Sequence, residues 1–159
     1  MKVGVVMGSK SDLPVVEKGI QVLKDFGVEP VVRILSAHRT PSQAESFSKE
    51  AEADGIEVII AAAGKAAHLG GVLAANTPLP VIGIPMKTSD LGGMDSLLST
   101  VQMPKGVPVA TVAIGGAENA ALLAIQMLGL KYPELREKFR EYKKQQEEDI
   151  LKADSEIEY

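Results

Sequence analysis

Near-neutral proton chemistry in this chain rests on two imidazoles. His38 and His68 are its only histidines and it has no cysteine, and imidazole is the side chain whose ordinary pKa lies closest to neutrality. Both sit in short polar segments, Ser36-Ala37-His38-Arg39-Thr40-Pro41 and Ala63-Gly64-Lys65-Ala66-Ala67-His68-Leu69-Gly70-Gly71. A third such segment is Met7-Gly8-Ser9-Lys10-Ser11-Asp12. It is a glycine turn with two hydroxyls running into a helix start, where backbone N–H groups and the positive end of the helix dipole suit a phosphate. It matches neither GxxxxGK[ST] nor GxGxxG, so nucleoside triphosphates and dinucleotides lose support. Read alone, Ser9, Ser11 and Asp12 serve equally well as turn and helix caps. Arg39 offers a planar fork for a phosphate or carboxylate, and His38 beside it is a candidate acid/base group. One histidine in a turn is more often structural; three polar loops meeting at one place shift that balance. Around His68 the Gly and Ala residues let a ligand approach the backbone closely. Tight helix packing explains Ala66 and Ala67 as well, but explains Gly64 less easily.

The elements that must bring these loops together are readable. Apolar runs at Lys2 to Met7, Glu29 to Leu35, Glu57 to Ala62, Pro80 to Ile84 and Pro108 to Ile114 alternate with helical segments, the pattern of a parallel sheet with crossover helices. The unbroken Val58-Ile59-Ile60 suits a strand buried on both faces. Leu13, Val16, Ile20, Leu23 and Phe26 recur at helical spacing until Gly27, with Asp12 as the expected N-cap. Thr40-Pro41 opens a second helix ending near Gly55, His68 to Asn76 is a short third, and Asp95 to Val101 a fourth. Gly116 to Leu128 is apolar nearly all round, as a buried helix should be. Pro133 to about Lys152 is charged but carries a stripe at Leu135, Phe139, Tyr142 and Ile150, which predicts an arm docked on the body or on a neighbouring subunit. The expectation is a single domain over 1–159, with an α/β body at 1–132 and a C-terminal helix and tail at 133–159. In an open parallel sheet ligands bind beyond the carboxyl ends of the strands, which is where the three loops fall.

Composition narrows the function. The chain has 159 residues, 45% hydrophobic and 24% charged, with net charge −4, an ordinary folded composition. Residues 1–132 hold 11 Lys/Arg against 12 Asp/Glu and residues 133–159 hold 6 against 9, so most of the acidity belongs to the tail. A nucleic-acid partner needs a basic face and is not expected. No run approaches the ~18 apolar residues of a membrane span and no signal-peptide pattern precedes the first strand, so a cytoplasmic protein is expected. Without cysteine there are no disulfides, thiolates or Fe–S ligands, and two histidines hardly build a zinc site. No metal or organic cofactor is expected. A flavin carrier and a phospho-acceptor receiver are the competing binding-module readings. The aromatic residues avoid the loops at the strand ends, and Ala63-Gly64 stands where a receiver needs an aspartate.

GSKSD, SAHRTP, AGKAAHLGG and DSLLSTVQMP, in this order, resemble the class I N5-carboxyaminoimidazole ribonucleotide mutases of purine biosynthesis over roughly residues 2 to 150. SAHRTP is the most specific of the four. Arg39 resembles that class, whereas the class II aminoimidazole ribonucleotide carboxylases, which use free CO₂, tend to carry Lys there. The resemblance implies a flavodoxin-like three-layer sandwich with a five-stranded parallel sheet of order 2-1-3-4-5 and a C-terminal helical arm. It further implies a homo-octamer whose active sites are shared between subunits and a reaction that moves a carboxylate from N5 to C4 without ATP, metal or organic cofactor. Carried over residue by residue, Ser9, Ser11, Asp12 and Arg39 would bind the phosphorylated ribose, with Asp12 on its hydroxyls. Ser36 and His38 would lie at the base, with His38 as the proton carrier, and Gly64 and His68 around the migrating carboxylate. Lys65, often Gly in this family, and Gly70, usually Pro, depart from the pattern; a cation at Lys65 either assists the carboxylate or points into solvent, and solvent is the expectation.

Overall fold

A computed structural model describes residues 1–158. Strands β1 (Lys2–Met7), β2 (Glu29–Ile34), β3 (Ile56–Ala63), β4 (Val81–Pro85) and β5 (Ala110–Thr111) alternate with helices α1 (Leu13–Asp25), α2 (Pro41–Glu50), α3 (Leu69–Ala75), α4 (Met94–Val101), α5 (Ala117–Leu128) and α6 (Pro133–Ser155). All neighbouring strands are parallel and lie in the order β2-β1-β3-β4-β5. The architecture is the flavodoxin-like one that the resemblance implies.

Period-2 alternation divides the buried strand residues between two cores. Val58, Ile60 and Ala62 join Val3, Val5 and Met7 against α1 and α5. Ile59, Ala61 and Ala63 pack with Val6 against Ala44 and Phe47 of α2 and Leu69 and Leu73 of α3. Lys2 pairs with Ile56 but Val3 pairs with Val58, so Glu57 is a bulge residue, and Ile56 falls in the opposite core from Val58. Gly27, at φ 81°, terminates α1, its N–H bonded to the Lys24 carbonyl and that of Val28 to Leu23.

Three expectations need correction. The fifth strand shrinks to two residues, because Pro108 has no N–H to donate. Beyond Thr111 only Val112 and Gly115 reach back, to the carbonyls of Gly83 and Pro85. The second strand is the edge that the expected order requires, and Val32 and Ile34 are exposed. Asp12 makes no side-chain cap to α1; Ser9 instead accepts the Ser11 N–H and caps a short 3₁₀ turn at Lys10–Asp12. Thr40 likewise does not cap α2. Its hydroxyl oxygen accepts the Ser36 N–H at 2.8 Å and so braces the loop before the helix.

The arm divides in two. Leu135 is buried, and Phe139 and Tyr142 pack on Phe26 with ring centroids 6.4 and 5.8 Å away. Ile150, the last member of the stripe, is 71% exposed. Lys131 and the Tyr132 hydroxyl both bond the Glu57 carboxylate, at 2.7 and 2.9 Å. Burial pushes Glu57 up, but these donors outweigh it and hold the carboxyl below its ordinary range.

Candidate active site

The carboxyl ends of β1 to β4 open into a cleft of about 500 Å³. Each wall is a strand-to-helix loop, and each is held by bonds that its own sequence supplies. In the first loop the Ser11 hydroxyl lies 2.8 Å from that of Ser9, and Asp12, free of capping duty, faces the cleft. Burial raises the Asp12 pKa above the ordinary 3.8, a rise opposed by the Ser9 N–H, the Ser11 hydroxyl and the Arg39 charge.

Arg39 bridges the first two loops. Its Nη2 donates to the Gly8 carbonyl at 2.7 Å, while its backbone N–H and Nε approach Ser36 Oγ at 3.2 and 3.4 Å. The guanidinium is therefore fixed in direction, and its Nη1 edge is left for an anion. This lies beside the hydroxyls of Ser9 and Ser11, where the sequence placed a phosphate cradle.

The two histidines, 30 residues apart in sequence, meet. His38 Nε2 lies 2.7 Å from His68 Nδ1, with the rings nearly perpendicular at 84°. A bond of this length needs one N–H donor and one bare nitrogen, so the pair holds a single proton between these atoms and fixes each ring's tautomer by the other's. Both rings are exposed. The arrangement can move one proton at a ligand atom and keep a defined rotamer while doing so.

All eight residues singled out from the sequence line this one cleft: Ser9, Ser11, Asp12, Ser36, His38, Arg39, Gly64 and His68. A Cβ on Gly64 would sit 3.6 Å from Met86 and Thr88, so there glycine preserves width more than it avoids a clash. Lys65 also lines the cleft, and it is not a free solvent cation. Its Nζ lies 2.7 Å from Asp90 Oδ2. Gly70 is buried with ordinary contacts around it.

Sequence reasoning missed the fourth wall. Met86, Lys87, Thr88 and Ser89 line the cleft too, and the rule that found the first three loops, reading just past each strand end, would have found them. The DSLLSTVQMP segment positions this wall from behind. Asp95 accepts the Thr88 hydroxyl at 2.8 Å, and the buried Ser96 hydroxyl lies 2.6 Å from the Met86 carbonyl. Among the described residues no group of three or more His, Cys, Asp or Glu is arranged to hold a metal ion.

Comparison with known proteins places the chain in a family and matches its fold. The AIR carboxylase family matches residues 2–149. The chain belongs to that family. It is 60% identical over 142 residues to an N5-carboxyaminoimidazole ribonucleotide mutase of Pyrococcus horikoshii, covering 89% of this chain and 80% of the relative. To a mutase of Thermotoga maritima it is 54% identical over 157 residues, 99% and 92% of the two chains. A phosphoribosylaminoimidazole carboxylase of Saccharomyces cerevisiae is 55% identical over 149 residues, but there the match spans only 26% of the longer protein. The crystal structure of Treponema denticola PurE superposes with TM-score 0.90 at 32% identity over 99% of both chains.

Proposed function

We propose that the chain is an N5-carboxyaminoimidazole ribonucleotide mutase, converting its substrate to 4-carboxy-5-aminoimidazole ribonucleotide in purine biosynthesis. The observation that carries the reading is the His38–His68 pair beside a phosphate cradle in one cleft, in a chain 60% identical to a protein of that name. Ser9, Ser11 and Arg39 hold the phosphate, Asp12 the ribose hydroxyls, and Ser36 the base. Gly64 and His68 surround the carboxylate in transit.

His38 carries the proton. As the N5–carboxylate bond breaks and CO₂ leaves, His38 donates a proton to N5. C4 then attacks the same CO₂, and the proton on C4 returns to His38. Bonds and protons balance without a metal, nucleotide or organic cofactor. His68, bonded to the His38 Nε2, fixes the ring that makes both transfers.

CO₂ must not escape between the two steps, yet His38 and His68 are exposed in the single chain. Beside the cleft, Met94, Leu98 and Val101 form an exposed apolar stripe along α4, with the exposed Leu91 of the preceding loop and Ile114 in addition. A second copy of this chain covers that stripe, and another receives the exposed Ile150 and Leu151 of the arm. Such packing closes the cleft in a homo-oligomer, in line with the octamer that the resemblance implies. No helix of the described residues is long and apolar enough to cross a membrane, which accords with work in the cytoplasm.

The carboxylase of free CO₂ and aminoimidazole ribonucleotide is the second reading, prompted by the family's description as AIR carboxylase. Turnover of each substrate by the purified protein separates the two. The mutase accepts the carbamate and is slow with aminoimidazole ribonucleotide at ordinary CO₂; rapid use of the latter with the carbamate ignored overturns the proposal.

A further inference from the structure

Lys65 stands apart from the other cleft residues in its backbone. It is the one non-glycine residue with positive φ, 56°, among the described residues, in a region that costs an L side chain energy unless the surroundings impose it. Its side chain is not buried there: Lys65 and Asp90 are 71% and 59% exposed across their 2.7 Å ion pair. An exposed pair of this kind adds little to stability, so it does not account for the strained backbone. Position does. The left-handed turn after Gly64 carries the cation to the rim of the cleft, three residues before His68. Lys65 lines that cleft whereas Asp90, on the loop after β4, does not. Hydrogen bonding across the pair raises Lys65 and lowers Asp90, so both stay charged over the working range.

We propose that Lys65 is a substrate-positioning residue that leaves Asp90 for the carboxylate of the incoming ligand, with Asp90 acting as a built-in competitor for the cation. A weak pair at the rim is suited to exchange, because a carboxylate on the ligand replaces one on the protein without stranding a charge. The inference rests on the reading of the cleft as the ribonucleotide site. It goes beyond that reading by placing a cation on the migrating group and an opposing anion beside it.

The two partners have opposite effects if they compete and the same effect if they merely clasp the loops together. Steady-state kinetics of the full-length protein on N5-carboxyaminoimidazole ribonucleotide decide between these. Lys65→Met and Lys65→Gly are expected to raise KM about two- to fivefold with kcat within about twofold. Lys65→Arg keeps the wild-type KM, and Asp90→Asn lowers KM by about twofold. Lys65→Gly relaxes the backbone while removing the charge, so agreement between it and Lys65→Met excludes a folding effect. Binding of aminoimidazole ribonucleotide, which keeps the phosphate and lacks the carboxylate, is unchanged in Lys65→Met. KM shifts of the same sign for Lys65→Met and Asp90→Asn, no shift in either, or equal weakening of both ligands would each overturn the proposal. His38→Asn is run alongside: if it stays active, the reading of the cleft fails, whereas its inactivity with flat Lys65 and Asp90 responses sinks only this inference.

Discussion

Gly19 sits in the middle of α1, where the helix crosses the start of α5. A Cβ built there would lie 2.5 Å from the Ala117 carbonyl oxygen and 3.0 Å from its carbon. Both are backbone atoms and cannot swing aside, so the helices must part by about 0.9 Å to restore an ordinary contact. Replacing a helical Gly by Ala gains about 1 kcal/mol of propensity, while overpacking costs about 1–3 kcal/mol; a 2.5 Å approach to backbone takes the upper part of that range, about 2–3 kcal/mol, so Gly19→Ala loses about 1–2 kcal/mol net. Thermal unfolding should fall by about 2–8 °C for a chain of this size. The displacement also reaches the site, since Gly19 lies only about 9 Å along α1 from the Ser9–Asp12 cradle. Because positioning errors near 1 Å are costly, kcat/KM drops about tenfold, mostly through KM. The control is Gly70→Ala in α3, where the added Cβ would meet Val109, Ala61 and Thr100 at 3.5–4.0 Å. With room available, that change is expected to stabilise by about 0.5–1 kcal/mol. Unfolding curves for the two variants test the argument. A stabilised Gly19→Ala, or losses of equal size in both, would refute the claim that the α1–α5 backbone contact sets the position of the cradle.

Three further outcomes follow from the site and the arm. His38→Asn should leave ligand binding by calorimetry within about tenfold while removing most turnover, since the phosphate contacts lie on other residues; a near-wild-type rate would end its acid/base role. Burial raises the Asp12 pKa, so ionised Asp12 costs stability, and the cost is absent below the unfolded value of 3.8 and grows as pH rises through the folded value. Asp12→Asn should therefore melt higher than wild type at pH 7, with the gap closing in acid, while ribonucleotide binding weakens; an equal gap at every pH would contradict the assignment. Tyr132→Phe removes a donor from Glu57 and should cost about 1 kcal/mol at pH 7. Because Glu57 is held below its ordinary 4.5, that loss should shrink as acid protonates the carboxylate, which denaturant titrations at two pH values would show.

Much of this was legible because the chemistry sits on punctuated loops. Strand ends at Met7 and Ala63, followed by Gly and hydroxyl or imidazole residues, announce a site without any knowledge of tertiary contacts. The topology came with the resemblance, since strand order is not encoded in local periodicity. Less legible was the division of labour among polar side chains. Asp12 and Thr40 occupy positions where a cap is the default, but neither caps its helix: Pro14 offers no N–H at the second position of α1, and the Thr40 hydroxyl oxygen accepts the Ser36 N–H instead. Lys65 looked like a solvent cation because sequence does not reveal that the chain turns left-handed there, nor that Asp90 comes within 2.7 Å. Pro108 opens an apolar run that reads as a full strand, but only Ala110–Thr111 pairs, because periodicity does not report which backbone donors reach a neighbour. Meanwhile Met94, Leu98 and Val101 make sense only once the α4 face they share is seen to lie open.

The central claim is that one carboxylate travels from N5 to C4 inside a cleft whose proton carrier is His38. Carbamate substrate labelled with ¹³C at the carboxylate, turned over in buffer equilibrated with unlabelled CO₂, tests it most directly when the 4-carboxy product is read by mass spectrometry. The account predicts that most of the label stays in the product, and that His38→Asn forms almost none of it. Product carrying the unlabelled carboxylate of the medium would contradict the account and identify a carboxylase of free CO₂.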